Sequence, residues 1–230
     1  SVKVGEKQIL NQISFDFEIG KNYCILGKNG SGKSSLAMTL AGNPKYEISE
    51  GELLLDGQNL TEMTPDERNK AGIFLTFQNI PEIPGVKLFE FLKTIYDARA
   101  EKPSTFLEFK KIIEPLMAEL EIEKAFLWRD LNVGFSGGEK RKIEVLQIKL
   151  LKPKYIILDE IDSGLDVNAV RQVAELLKAV NTEENSFIVI THLFEMLQEL
   201  PLEKILILEQ GKIKAIGGRE LMEQVRKEGF

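Results

Sequence analysis

Eight consecutive residues, GKNGSGKS at positions 27–34, constrain this chain more tightly than any other feature. They follow YCILG, a continuous apolar run of the kind a buried strand makes, and they open a helical pattern over 34–40. Strand, glycine-rich loop and helix in that order form the setting in which the spacing G-x-x-x-x-G-K-[ST] carries chemistry. Gly27, Gly30 and Gly32, with Asn29 and Ser31 between them, let the backbone curl so that its N–H groups point inward at an anion. The helix N-terminus closes that nest. Lys33 adds a point charge between the β- and γ-phosphates of a nucleotide, Ser34 offers a hydroxyl to Mg²⁺, and Ser35 reaches the α-phosphate.

Around this loop the chain alternates between strand and helix patterns. SVKV and KQIL flank Gly5, and ISFDFEI alternates Ile13, Phe15, Phe17 and Ile19 with polar residues, predicting a half-buried antiparallel strand. GELLLDGQNL predicts a strand that ends in a tight turn at Asp56 and Gly57, and IFLTF at 73–77 another buried strand. After Pro153, YIILDE and SFIVITH predict two buried strands separated by a helix near 168–180. KILILEQGKIKAIG then predicts a hairpin turning at Gln210 and Gly211, before a short C-terminal helix. Such alternation implies a parallel sheet in a three-layer α/β core. Between the two β-rich parts, apolar spacings of three and four mark helices near 89–99, 105–120 and 139–151, and Pro115 predicts a kink or restart in the second. The chain therefore reads as one domain over 1–230, with a core of about 1–78 and 153–230 and a helical insertion of about 79–152.

The strand ends supply the partners of the phosphate loop. Asp159 emerges at the C-terminal end of an apolar strand, where ligands gather in open α/β sheets, and can hold Mg²⁺ through water. Glu160 follows it and is placed to polarise an attacking water. His192 ends SFIVITH, and Gln78 ends IFLTFQ with an amide for the metal or the water. A surface acidic pair and a solvated strand-end histidine are the plainer readings of these residues. Four strand ends converging on one side of one sheet favour the chemical one.

Composition closes off competing classes. One Cys and one His exclude a disulfide framework, a cysteine zinc site, a two-histidine metal site and an iron–sulfur cluster held by this chain alone. With 30 Lys+Arg against 36 Asp+Glu the net charge is −6, which argues against a general affinity for nucleic acid or anionic lipid. No apolar run is long enough to span a bilayer, and SVKVGEKQIL does not read as a signal peptide. The missing initiator Met suggests that the numbering starts inside a longer natural chain, and a soluble, cytoplasmic protein is expected.

Taken in order, GKNGSGKS, FQ, FSGGEKRK, YIILDE, SGLD and TH resemble the ABC-type ATPase cassette over nearly the whole chain. The resemblance implies a RecA-like three-layer core with an antiparallel β subdomain and an inserted helical subdomain, acting on ATP with Mg²⁺. It implies that Gln78 is the Q-loop glutamine, Ser136, Gly137, Gly138 and Glu139 the signature, 163–166 the D-loop ending in Asp166, and His192 the switch histidine. In the family the signature serves the ATP of a facing subunit, in a transient head-to-tail homodimer. The helix that FSGGE opens has a physical reason to do so, being a second anion-binding N-terminus, although an ordinary capped helix start explains it too.

FQNIPEIPGV, NVGFSGGEKRK and LDEIDSGLD are more narrowly similar to the SufC-type ATPase of the SUF iron–sulfur cluster assembly machinery. That likeness implies SufB- and SufD-like scaffold partners, a cytosolic or plastid setting, no nucleic acid, and no insertion of this chain into a membrane. The nucleotide-binding subunit of a membrane transporter is the alternative, and an ATP-gated clamp a third, which would place long coiled coils between the phosphate loop and signature. Two departures stand out. The family's proline after the FQ-x step is displaced to Pro81, and the place near Val4 and Gly5 offers no aromatic to stack on adenine.

Overall fold

A computed structural model describes residues 1–162, 166–191 and 194–229, and the chain divides into two compact units. The first comprises Ser1–Phe77, Pro153–Asp162 and Asn181–Phe230. Its centre is a six-stranded sheet in the order Lys212–Gly217, Lys204–Glu209, Tyr23–Leu26, Ser186–Ile190, Tyr155–Asp159, Ile73–Leu75. All neighbouring pairs are parallel except the hairpin of the first two. The apolar runs explain this arrangement: Tyr23–Leu26 and Ser186–Ile190 are buried at every residue, as strands covered on both faces must be. Helix Lys33–Leu40 contributes Leu36, Ala37 and Leu40 to a core that includes Ile25, Ile157, Ile188 and Ile190. A three-stranded antiparallel sheet joins Lys7–Leu10, Val2–Val4 and Glu47–Ile48, and Asp56 and Gly57 turn the short hairpin of Leu54–Leu55 and Gln58–Asn59.

The stretch 13–19 is not a ladder strand, contrary to its alternating pattern. At its C-terminal end two backbone groups go to side chains instead: Glu18 N–H donates to Tyr23 Oη at 2.6 Å, and Tyr155 Oη donates to the Phe17 carbonyl at 2.6 Å. Phe15 and Phe17 set their rings edge-on to buried Tyr23, at 5.6 and 4.9 Å between centroids. Helix Pro65–Ala71 was not anticipated, although Pro at its first position, a Thr64–Glu67 capping box and left-handed Gly72 mark both its ends.

The second unit comprises Gln78–Lys152 and Ser163–Val180, and contains helices Leu88–Asp97, Phe106–Glu119, Gly137–Leu151 and Val167–Lys178. Phe106–Glu119 runs through Pro115 without restarting. The ring removes one N–H, whereas Phe109, Ile113 and Met117, all fully buried on one face, hold the turns on either side of it. An unanticipated antiparallel pairing joins Ile83–Lys87 to Asp130–Leu131, with Lys87 Nζ 2.7 Å from Asp130 Oδ1.

Candidate functional site

In the first unit, the strand Tyr23–Leu26 delivers the chain into the glycine-rich loop, and the loop delivers it into helix Lys33–Leu40. Gly27 has φ +156°, and a Cβ there would fall 2.3 Å from the Leu208 carbonyl oxygen and 2.5 Å from Ser31 Oγ. Gly32 caps the helix at φ +109°, and the helix start has neither a side-chain cap nor an acidic residue in its first turn. Its N–H groups and the positive end of its dipole are thus left for an external anion. Lys33 is 5 % exposed, and its Nζ donates to the carbonyls of Gly27 at 2.8 Å and Lys28 at 3.2 Å. Burial pulls this amine below the ordinary lysine value, while the Glu160 and Asp159 carboxylates pull it back up. Ser31 Oγ is buried without a hydrogen-bond partner among the described residues, a polar atom facing a polar task. The loop is pinned from behind, where Gly211 N–H donates to the Ser31 carbonyl at 2.9 Å and Asn11 N–H to the Gly211 carbonyl at 2.8 Å.

Ser34 Oγ donates to Asp159 Oδ1 at 3.2 Å, so the loop and the acidic strand end meet. Asp159 is buried, which pushes its carboxyl above the usual range; the Ser34 hydrogen bond and Lys33 pull down, and the neighbouring Glu160 pushes up. Glu160 turns out of the strand at φ +48°, its N–H held by the Ile190 carbonyl at 2.8 Å. A hydroxyl and a buried carboxylate within hydrogen-bond distance are two hard oxygen donors. They suit Mg²⁺, an ion that keeps several waters and fills the rest of its shell with phosphate oxygens. Among the described residues no group of three or more His, Cys, Asp or Glu comes together as a closed metal cage.

Two residues that sequence reasoning passed over support this geometry. Thr76 Oγ1 accepts from Asp159 N–H and donates to the Ile157 carbonyl, each at 3.2 Å, and Thr191 Oγ1 donates to Asp162. Both are buried polar residues at the ends of apolar strands, and that placement was the available signal.

The second unit holds the candidates Gln78, Ser136–Glu139 and Asp166. Ser136 caps helix Gly137–Leu151 in a complete capping box: Ser136 Oγ accepts from Glu139 N–H at 3.3 Å, and Glu139 Oε2 accepts from Ser136 N–H at 2.7 Å. The Gln78 carbonyl accepts from Arg141 Nη2 at 3.2 Å, and Arg141 pairs with Glu144 at 2.6 Å. Asp166 Oδ1 accepts from Ala169 N–H at 2.9 Å at the start of helix Val167–Lys178. His192 and the residues Ser163, Gly164 and Leu165 lie outside the described residues.

The family model described as ABC transporter matches residues 10–163. The probable ATP-dependent transporter ycf16 of Antithamnion sp. is 41% identical over the whole of this chain and 93% of its own length. The probable ATP-dependent transporter SufC of Escherichia coli is 38% identical, again over the whole of this chain and 94% of its own. A chloroplastic ABC transporter I family member of Arabidopsis thaliana is 39% identical over 97% of this chain and 68% of its own. Among solved structures, a dimeric ATP-binding cassette bound to ADP and phosphate superposes with a TM-score of 0.78 at 23% identity, covering 94% of each chain, which identifies the same fold.

Proposed function

This chain belongs to the ABC family of ATPases, on its SufC-like branch, and from that premise we propose that it acts as one ATPase domain powering a SUF-type iron–sulfur cluster assembly scaffold. The observation that carries the catalytic part is the contact of Ser34 with buried Asp159 beside an uncapped helix start. Gly27, Asn29, Gly30, Ser31, Gly32, Lys33, Ser34 and Ser35 enclose the phosphates of ATP, with Lys33 as the buried charge. Ser34, Asp159 through water, and Gln78 would hold Mg²⁺, which would supply charge neutralisation at the phosphates. Glu160 orients and polarises the attacking water, and His192 hydrogen-bonds the γ-phosphate. Ser136, Gly137, Gly138 and Glu139 serve the ATP of a second copy in a transient head-to-tail dimer, with Asp166 along the seam. Closure of that dimer would reshape a SufB/SufD-like pair, in the cytoplasm or a plastid. The full-length likeness to SufC supports this setting.

Replacing Glu160 by Gln is expected to leave ATP binding intact, abolish steady-state turnover and trap the closed dimer. Hydrolysis at the parent rate would sink the assignment of Glu160. The relatives' names favour a second reading, that of the nucleotide-binding subunit of a transporter. Among the described residues no helix is long and apolar enough to cross a membrane, so such a subunit would need a partner that does. Capture from the native cell with mass spectrometry separates the two: scaffold subunits support the first reading, and permeases overturn it.

A further inference from the structure

The segment 129–136 leads into the signature; its Asp130–Leu131 part pairs with Ile83–Lys87 and Asn132 Nδ2 donates to the Pro81 carbonyl at 2.9 Å, whereas 132–135 is turn and irregular backbone. Asn132 stands at φ +62° and Gly134 at φ +66°, so backbone preference alone does not fix its path. Exposed Arg129 adds a restraint of its own on this last stretch. Its guanidinium carbon lies 4.8 Å from the ring centroid of Phe126 and 4.5 Å from that of Phe135, two rings whose own centroids are 4.7 Å apart. From the same plane Nη2 reaches the carbonyls of Val133 at 3.4 Å and Gly134 at 3.3 Å. The backbone of Arg129 is itself anchored, its N–H donating to the Phe126 carbonyl and its carbonyl accepting from Leu88 N–H, both at 3.0 Å. One flat, delocalised cation thus addresses two rings and two carbonyls, a combination that a lysine ammonium cannot reproduce.

We propose that Arg129 is a positioning residue for ATP hydrolysis, fixing Phe135 and with it Ser136 in the conformation that meets the nucleotide of a second copy. The proposal rests on the facing-copy reading of the signature given above. It differs from general stabilisation in where Arg129 acts: its guanidinium holds Phe135 and the Val133 and Gly134 carbonyls, the residues that run directly into Ser136.

The test uses the full chain in a Glu160→Gln background, with ATP-dependent dimerisation followed by sedimentation and ATP affinity of the monomer measured separately. Arg129→Ala is expected to weaken dimerisation by about tenfold and to lower turnover of the otherwise unaltered chain similarly, with monomer ATP affinity within about twofold. Arg129→Lys keeps the charge without the plane and is expected to remain about fivefold weaker than the parent. Parent-like dimerisation of Arg129→Ala, full rescue by Lys, or an equal loss of monomer ATP binding would each overturn the proposal. Should Arg129→Ala fail to fold, Phe126→Leu removes one ring face and is expected to weaken dimerisation by about threefold. A parent-like dimer in that variant is equally fatal. Ser136→Arg is the control. If it leaves dimerisation untouched, the facing-copy reading itself fails, whereas if it abolishes dimerisation while Arg129→Ala does not, only the role of Arg129 falls.

Discussion

Helices Lys33–Leu40 and Gly137–Leu151 both begin at glycine-rich loops, and they begin in opposite ways. Helix Lys33–Leu40 starts at left-handed Gly32 with no side-chain cap and no acidic residue in its first turn. Helix Gly137–Leu151 starts at Ser136 with both halves of a capping box in place and the Glu139 carboxylate in its first turn. A helix start leaves N–H groups without internal partners, and here one start keeps them open while the other meets them from its own side chains. The glycines differ in the same sense. At Gly27 a Cβ would strike a carbonyl of the neighbouring strand, whereas at Gly138 a Cβ would meet nothing within 4 Å. The first loop therefore needs glycine for its own backbone, and the second has a glycine, Gly138, where its own surroundings do not require one. A residue kept small for no internal reason leaves room for something outside the chain.

The largest expected effect lies on the phosphate-loop side. In Gly27→Ala the new methyl would sit 2.3 Å from the Leu208 carbonyl oxygen, at a φ of +156° that L residues rarely adopt. The Leu208 carbonyl is backbone and cannot swing away, although the Ser31 hydroxyl at 2.5 Å can rotate. A loss of about 3 kcal/mol and a fall in Tm of about 10 °C are expected. Thermal unfolding without nucleotide measures this, and an unchanged Tm would remove the distinction between the two loops.

The same contrast governs what could be read from the residues alone. The phosphate loop is legible because its chemistry demands particular residues at consecutive positions, and the apolar runs YCIL, YIIL and SFIVI declare buried strands without reference to anything distant. Contacts between remote residues are not legible in this way. Nothing in IPGVK announces that Ile83 faces Leu131, and nothing in ISFDFEI shows that tyrosine hydroxyls take up the backbone groups of Phe17 and Glu18. Pro115 misleads for a related reason: the cost of the ring is local, but the burial of Phe109, Ile113 and Met117 that outweighs it is tertiary. Arg129 looks like any surface cation until the adjoining rings of Phe126 and Phe135 are found packed together beneath it.

Gly138→Ala probes the open side of the comparison. Ala in a first helical turn with free space around its Cβ is expected to leave Tm unchanged or to raise it by about 1 °C. ATP-dependent dimerisation in the Glu160→Gln background is nevertheless expected to weaken by about tenfold, since in the proposed facing-copy dimer the methyl would intrude where a phosphate approaches. A variant that is both stable and fully dimerising would show that this glycine keeps no room for a partner.

The smallest effect sharpens the comparison through pH. The Ser136 backbone N–H, then its hydroxyl, hold the Glu139 carboxyl below its ordinary value of 4.5, against a desolvation that raises it. A carboxyl depressed in the folded state stabilises that state above its unfolded pKa, and the contribution is lost as pH falls through the folded one. Glu139→Gln keeps an acceptor for Ser136 N–H but removes the charge at the positive end of the helix, at an expected cost of about 0.5 kcal/mol at pH 7. The Tm difference between parent and variant should therefore be present at neutral pH and shrink on acidification below about pH 4.5. The box formed by Thr105 and Glu108 titrates alike in both proteins and cancels from the difference. A difference that stayed constant down to about pH 3 would mean that the Glu139 charge contributes nothing to closing this helix start. The two glycine-rich starts would then differ in shape alone.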